Sequence, residues 1–201
     1  MLDLARTSFY VGLILVPYGL EQLCYRRYIS RNPARTAHRP AAVLGGYGLA
    51  YLWDAAHLAV LIAAGWRLIA TTYPLTLWQG LGLSLFLAGV ALRIWALREL
   101  GPFYSASLLV YDDHRVVSSG PYRCVRHPLH LGTTAQIGGL AFFAPAWLAV
   151  AAAGLSIALT IYRNRAEDRL LLAHLGDAYR RYYLATWDPV DRVLWKRGGD
   201  V

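Results

Sequence analysis

Imidazole, guanidinium and carboxylate side chains gather in two stretches of this chain. Ser119–Gly132 contains Tyr122, Arg123, Arg126, His127 and His130, and Arg163, Glu167 and Asp168 follow a long apolar run. Such groups can bind the charged end of a polar ligand and align a nucleophile for attack. Gly120-Pro121 and His127-Pro128 interrupt any helix in the first stretch, because proline lacks an amide donor and turns its predecessor away from helical angles. Ser119–Gly132 therefore reads as an ordered loop. Apolar residues begin at once from Leu131, which sets the loop at the mouth of an apolar bundle, where a polar cofactor can meet a greasy substrate.

The elements that must position these groups are legible in the composition. Of 201 residues, 57% are hydrophobic and 16% charged, against about 25% charged in an ordinary soluble domain. The uncharged runs are long enough for an integral membrane protein. We expect one domain, residues 1–201, with N-terminal helices in 1–97 and a cofactor-binding half in 98–201. The expected fold is all-α, a polytopic membrane helical bundle of about five transmembrane helices with a C-terminal helical hairpin and a cytoplasmic tail helix. Spans are expected over 8–25 with a kink at Pro17, over 42–64, and over 77–97. Residues 131–162 are too many for one span and few for two, so they read as a tight hairpin turning near Pro145. From Arg163 the tail is charged and helical to about Tyr183, with an interruption at Gly176. No small-residue cleavage site follows the first apolar run, which is therefore kept as a helix.

The formal charge of +8 is nearly all arginine beside the apolar runs. Arg26, Arg27, Arg31, Arg35 and Arg39, the segment 98–130 and the tail share one side of the membrane if an even number of spans separates them. The positive-inside rule then places the N-terminus outside and the C-terminus in the cytoplasm, across an inner membrane. This pattern points to membrane lipids as partners and away from nucleic acid. Cys24 and Cys124 are too isolated for a disulfide framework or a zinc site, and no metal is expected.

Several groups have a structural as well as a functional reading. Gly80, Gly82 and Gly89 lie within an apolar helix, where they suit close helix packing and not a dinucleotide fingerprint. Asp54 and His57 share a helix face, with Arg93 as a candidate partner for Asp54, either as an interhelical clamp or beside a substrate. Glu21 is expected to reach the membrane interface. Arg123 and Arg126 can serve as lipid-headgroup anchors. Arg163 and Glu167, four residues apart, share a face. They make either a surface ion pair or, since the hairpin returns them to the side of His127, part of a site.

In these motifs the chain resembles the membrane-embedded superfamily of isoprenylcysteine carboxyl methyltransferases and phospholipid methyltransferases. The matching pieces are DHRVVSSGPYRCVRHPLHLG, the hairpin, and RNRAEDRLLLAHLGDAYRRYY. The turn and the preceding Asp-His-Arg are nearer the isoprenylcysteine branch. The resemblance implies S-adenosyl-L-methionine as cofactor, bound by His114, Arg115, Val116, Val117, Tyr122, His127, Pro128, Leu129, His130 and Glu167. It also implies that Arg163 lies toward the substrate. His130 stands where the family usually has tyrosine, and Asp168 where it has a second glutamate.

Methyl transfer needs alignment and exclusion of water more than acid–base help. A carboxylate acceptor needs no base, only a cation such as Arg163 to position it. An amine acceptor must first lose a proton, and His130 is the base candidate. Arg163 and His130 are thus the candidate catalytic residues. The leading expectation is methylation of a lipophilic small molecule or prenylated carboxylate. Phospholipid or other amine N-methylation is the alternative, and a non-catalytic lipid-binding scaffold the third reading.

Overall fold

Uncharged runs rich in leucine and alanine favour helix, because such side chains lose little freedom there. The computed structural model describes residues 4–29, 37–38, 55, 58–62, 65–66, 76–105, 110–143 and 147–188, and it is mostly helical. Helix α1 spans Leu4–Ile29 with Pro17 inside it. Helix α2 spans Leu77–Leu100, α3 Pro128–Phe143, α4 Trp147–Leu175 and α5 Asp177–Ala185. Asp54, His57 and Pro145, with the turn expected there, lie outside the described residues.

The boundaries follow local chemistry. Thr76 and Gln79 form a capping box at the start of α2, with the Thr76 amide donating to Gln79 Oε1 at 3.0 Å and the Gln79 amide to Thr76 Oγ1 at 3.3 Å. Two of the helix's orphan donors are thereby satisfied. Gly101, at φ +53°, ends α2 in a backbone region that disfavours other residues. Pro128 is the first residue of α3, where its missing amide costs nothing. The helix thus begins three residues before the expected apolar start. Arg163 does not begin a separate tail helix, because α4 runs unbroken through it to Leu175. Gly176, at φ +54°, makes the anticipated interruption before α5. One small feature departs from all-α: β1 (Ala37–His38) pairs antiparallel with β2 (Val110–Tyr111), Ala37 opposite Tyr111.

The tightest helix contact is between α2 and α3. A Cβ at Gly89 would stand 2.6 Å from the Gly132 carbonyl oxygen, and one at Gly139 2.5 Å from the Phe86 amide. Gly82 faces the Phe143 amide at 2.5 Å in the same sense. Backbone therefore lies on backbone, as small residues permit in apolar bundles. The packing role expected for Gly82 and Gly89 is observed; Gly80 has nothing within 4 Å and takes no part. Phe86, Val90, Ile137, Leu140 and Phe143 fill the core around this contact.

Large apolar side chains stand on the outer faces of two helices. Leu77, Trp78, Leu81 and Leu85 of α2 and Trp147, Val150 and Leu155 of α4 are exposed. Among the described residues, Leu77–Phe103, 27 residues long, is the helix with the length and composition to cross a bilayer.

Substituting Gly89→Leu should lower stability by about 3 kcal/mol, since overpacking a backbone contact forces the helices apart. Gly80→Ala should change it by less than about 1 kcal/mol. Thermal unfolding midpoints in detergent check both.

Candidate active site

The motif loop is fastened to the end of α2. The Arg115 guanidinium lies 5.5 Å from the centroid of the Phe103 ring, and the His114 ring is 5.2 Å from the same ring. Ser119 Oγ donates to Glu99 Oε2 at 2.6 Å. Gly120, at φ +53°, lets the chain pass over the Glu99 side chain, where a Cβ would come within 2.5 Å. The 3-10 turn Gly120–Arg123 then buries Tyr122.

At the other end, α5 and the residues after it close over the loop. The Arg126 amide donates to the Trp187 carbonyl and the Trp187 amide to the Cys124 carbonyl, both at 2.9 Å. Arg126 is 4% exposed. Its guanidinium donates to Asp168 Oδ2 at 3.2 Å and to the carbonyls of Tyr183 and Thr186, at 3.1 and 3.4 Å. It also lies 3.6 Å from the centroid of the Tyr183 ring. Arg126 is a buried clamp, then, and not a lipid-headgroup anchor; Arg123 is exposed. Asp168 Oδ1 is 2.9 Å from His127 Nε2 and accepts from Tyr179 Oη at 2.6 Å.

Between these two fastenings is a cavity of about 440 Å³. His114, Arg115, Val116, Val117, Tyr122, His127, Leu129 and His130 line it from the loop and the start of α3, and Arg163 and Glu167 from α4. Of the residues expected to form the site, Pro128 is the one off this wall; it is buried as the first residue of α3. Donor atoms of His127, His130 and Glu167 all lie within 4.8 Å of one another. That trio has the types and spacing to hold the ammonium and carboxylate of an amino-acid group, or a cation.

Four further groups take part with partners that the sequence reading did not assign. Glu21, expected at the interface, is 1% exposed and lines the cavity with Arg93 and Gln136. Among the described residues Arg93 pairs with Glu21. Asp168, named beside Arg163 and Glu167 but given no partner, orients His127. The one available signal was that an uncompensated charge inside an apolar helix needs a partner; it could not say which.

Burial opposes a charged His127, but the hydrogen bond to Asp168 and the negative charges of Asp168, Glu167 and Asp188 outweigh it and raise its pKa above 6.5. Burial likewise opposes an ionised Asp168, yet the hydrogen bond and charge of His127, Tyr179 and Arg126 hold its pKa below 3.8. Burial, then the adjacent Asp168, pushes the Tyr179 hydroxyl well above its usual range, so it remains a donor.

Residues 81–173 match the isoprenylcysteine carboxyl methyltransferase (ICMT) family. The segment similar to that family is 93 of the 201 residues. It begins within α2 and ends near the end of α4, and so contains the motif loop, α3, Arg163 and Glu167. The uncharacterized protein YpbQ of Bacillus subtilis (strain 168) is 27% identical over 105 residues, which are 52% of this chain and 62% of that relative. The match thus spans less than two thirds of YpbQ. The matched segment takes in most of Leu77–Phe103, the helix among the described residues with the length and composition to cross a bilayer.

The His127–Asp168 pair sets a pH window. His127 contributes stability below its unfolded value of about 6.5 and loses it as pH rises through the raised folded value. Asp168 contributes above about 3.8 and loses its share as pH falls through the lowered folded value. The unfolding midpoint should therefore decline as pH rises above about 6.5, and Asp168→Asn should flatten that decline. A parallel decline in parent and variant would show that this pair does not cause it.

Proposed function

We propose that this protein is a multi-pass membrane methyltransferase that uses S-adenosyl-L-methionine to methylate the carboxylate of a lipophilic, isoprenylcysteine-type acceptor. The observation that carries this reading is the single cavity shared by the motif loop, Arg163 and Glu167. Its volume of about 440 Å³ falls within the roughly 300–1,000 Å³ common for ligand pockets. The residues on its wall fit the cofactor. Glu167 and the imidazoles of His127 and His130 suit a zwitterionic amino-acid end, and Phe103 and Tyr122 offer aromatic surface for a base.

When bound, the cofactor supplies a methyl group activated by a sulfonium. The chain's own residues do the rest by orientation and exclusion. Arg163, 9% exposed, can hold an acceptor carboxylate without removing its lone pairs from reaction. Leu170, Leu171 and Leu175 line the same cavity and keep water from it. The outward-facing apolar residues of α2 and α4 support a bilayer setting. In our reading the bundle has about five spans, with the N-terminus outside and the C-terminal half of the site facing the cytoplasm.

Glu167→Ala and His127→Ala should each weaken S-adenosyl-L-methionine binding at least about tenfold, measured by calorimetry in detergent. Arg163→Ala should bind the cofactor as the parent does, yet lose transfer of labelled methyl to a membrane-lipid extract by about a hundredfold. Base-labile product identifies an ester and base-stable product an N-methyl group. A parent protein that binds no cofactor would leave the scaffold reading.

A further inference from the structure

The proposed chemistry leaves one buried polar cluster without a task. Arg93 Nε of α2 donates to Glu21 Oε1 of α1 at 2.5 Å, and Gln136 Nε2 of α3 donates to Glu21 Oε2 at 2.5 Å. The three side chains are 8%, 1% and 3% exposed in the order Arg93, Glu21 and Gln136. An ion pair serving only to join two helices would need no more than Glu21. Arg93 does more: its Nη1 donates to Thr133 Oγ1 and, at 3.4 Å, to the Leu129 carbonyl.

Leu129 and Thr133 flank His130 in the first turns of α3, and Leu129 and His130 both face the cavity. Gly132 completes the arrangement. A Cβ there would stand 2.6 Å from Arg93 Cγ, so only glycine admits the arginine stem against α3. Glu21 thus fixes one edge of a planar guanidinium, and the guanidinium fixes the turn that carries the cavity-facing imidazole.

We propose that Arg93, oriented by Glu21, is a positioning residue that sets the first turn of α3 and hence His130 at the cofactor wall. This makes α1 part of the site's framework although it lies outside the family segment. The inference rests on the proposed use of S-adenosyl-L-methionine. Lysine offers a point charge that can still meet Glu21, but it lacks the fork that reaches α3 at the same time.

The test compares Arg93→Lys, Arg93→Ala and Glu21→Gln with the full-length parent in detergent. The readouts are unfolding midpoint, dissociation constant for S-adenosyl-L-methionine, and the His130 ring resonance in histidine-labelled protein without cofactor. Arg93→Lys should keep a midpoint near the parent's, weaken cofactor binding about tenfold and shift the His130 resonance. Glu21→Gln should move the same two site readouts less. If Arg93→Ala does not fold, the lysine variant still decides. A lowered midpoint with parental affinity and an unmoved His130 resonance would reduce Arg93 to interhelical glue and overturn the proposal. A parent that binds no cofactor sinks the functional reading instead, and the His130 resonance then judges the positioning on its own.

Discussion

The carboxylate of Asp168 is buried at the junction of α4, α5 and the motif loop, and it engages His127, Arg126 and Tyr179. A buried charge in such a place is costly unless hydrogen bonds surround it. With three partners it becomes the point at which separate elements are forced into one geometry. His127 is turned by it, Arg126 is drawn under the loop, and Tyr179 brings α5 back against α4. The break at Gly176 makes that return possible, because α4 otherwise continues in one direction. The C-terminal wall of the cavity follows from this.

The other wall depends on helices α2 and α3 approaching backbone to backbone. Glycines at 82, 89, 132 and 139 allow the approach. The same closeness brings Arg93 within reach of the Leu129 carbonyl, Thr133 and, through Glu21, helix α1. Packing and polarity are therefore coupled here. Widening the glycine contact would also withdraw the guanidinium from α3. Leu77, Trp78, Leu81, Trp147 and Val150 point outward while Glu21, Arg93, Arg163 and Asp168 are buried, an arrangement favoured when helices face lipid.

Features encoded over a few residues were readable in advance. Arg163 and Glu167 share a face because the helical period puts four residues one turn apart, and both line the cavity. Gly176 was readable as a break and the Gly120-Pro121 step as a turn, from backbone preference alone. The loop and α4 residues were named together through motif resemblance. Other expectations failed where the answer lay far along the chain. Glu21 looked like an interface residue since it stands near the end of an apolar run. Arg126 was open to reading as a lipid anchor, a role that an arginine beside an apolar run can take. Asp168, beside Arg163 and Glu167, had no partner assigned. In each case the local sequence was compatible with exposure, and burial by a distant element decided otherwise.

The sequence by itself determined that the chain is helical and apolar, where its loop turns, and which residue types could do chemistry. These are properties of periods and backbone angles, and neighbours settle them. The tertiary structure alone decided which charges meet. Glu21 and Arg93 are 72 residues apart, and Arg126 and Asp168 are 42 apart. Any carboxylate can pair with any guanidinium, so residue type carries no address. In an apolar interior each must find a partner, and only the packing of helices selects which one.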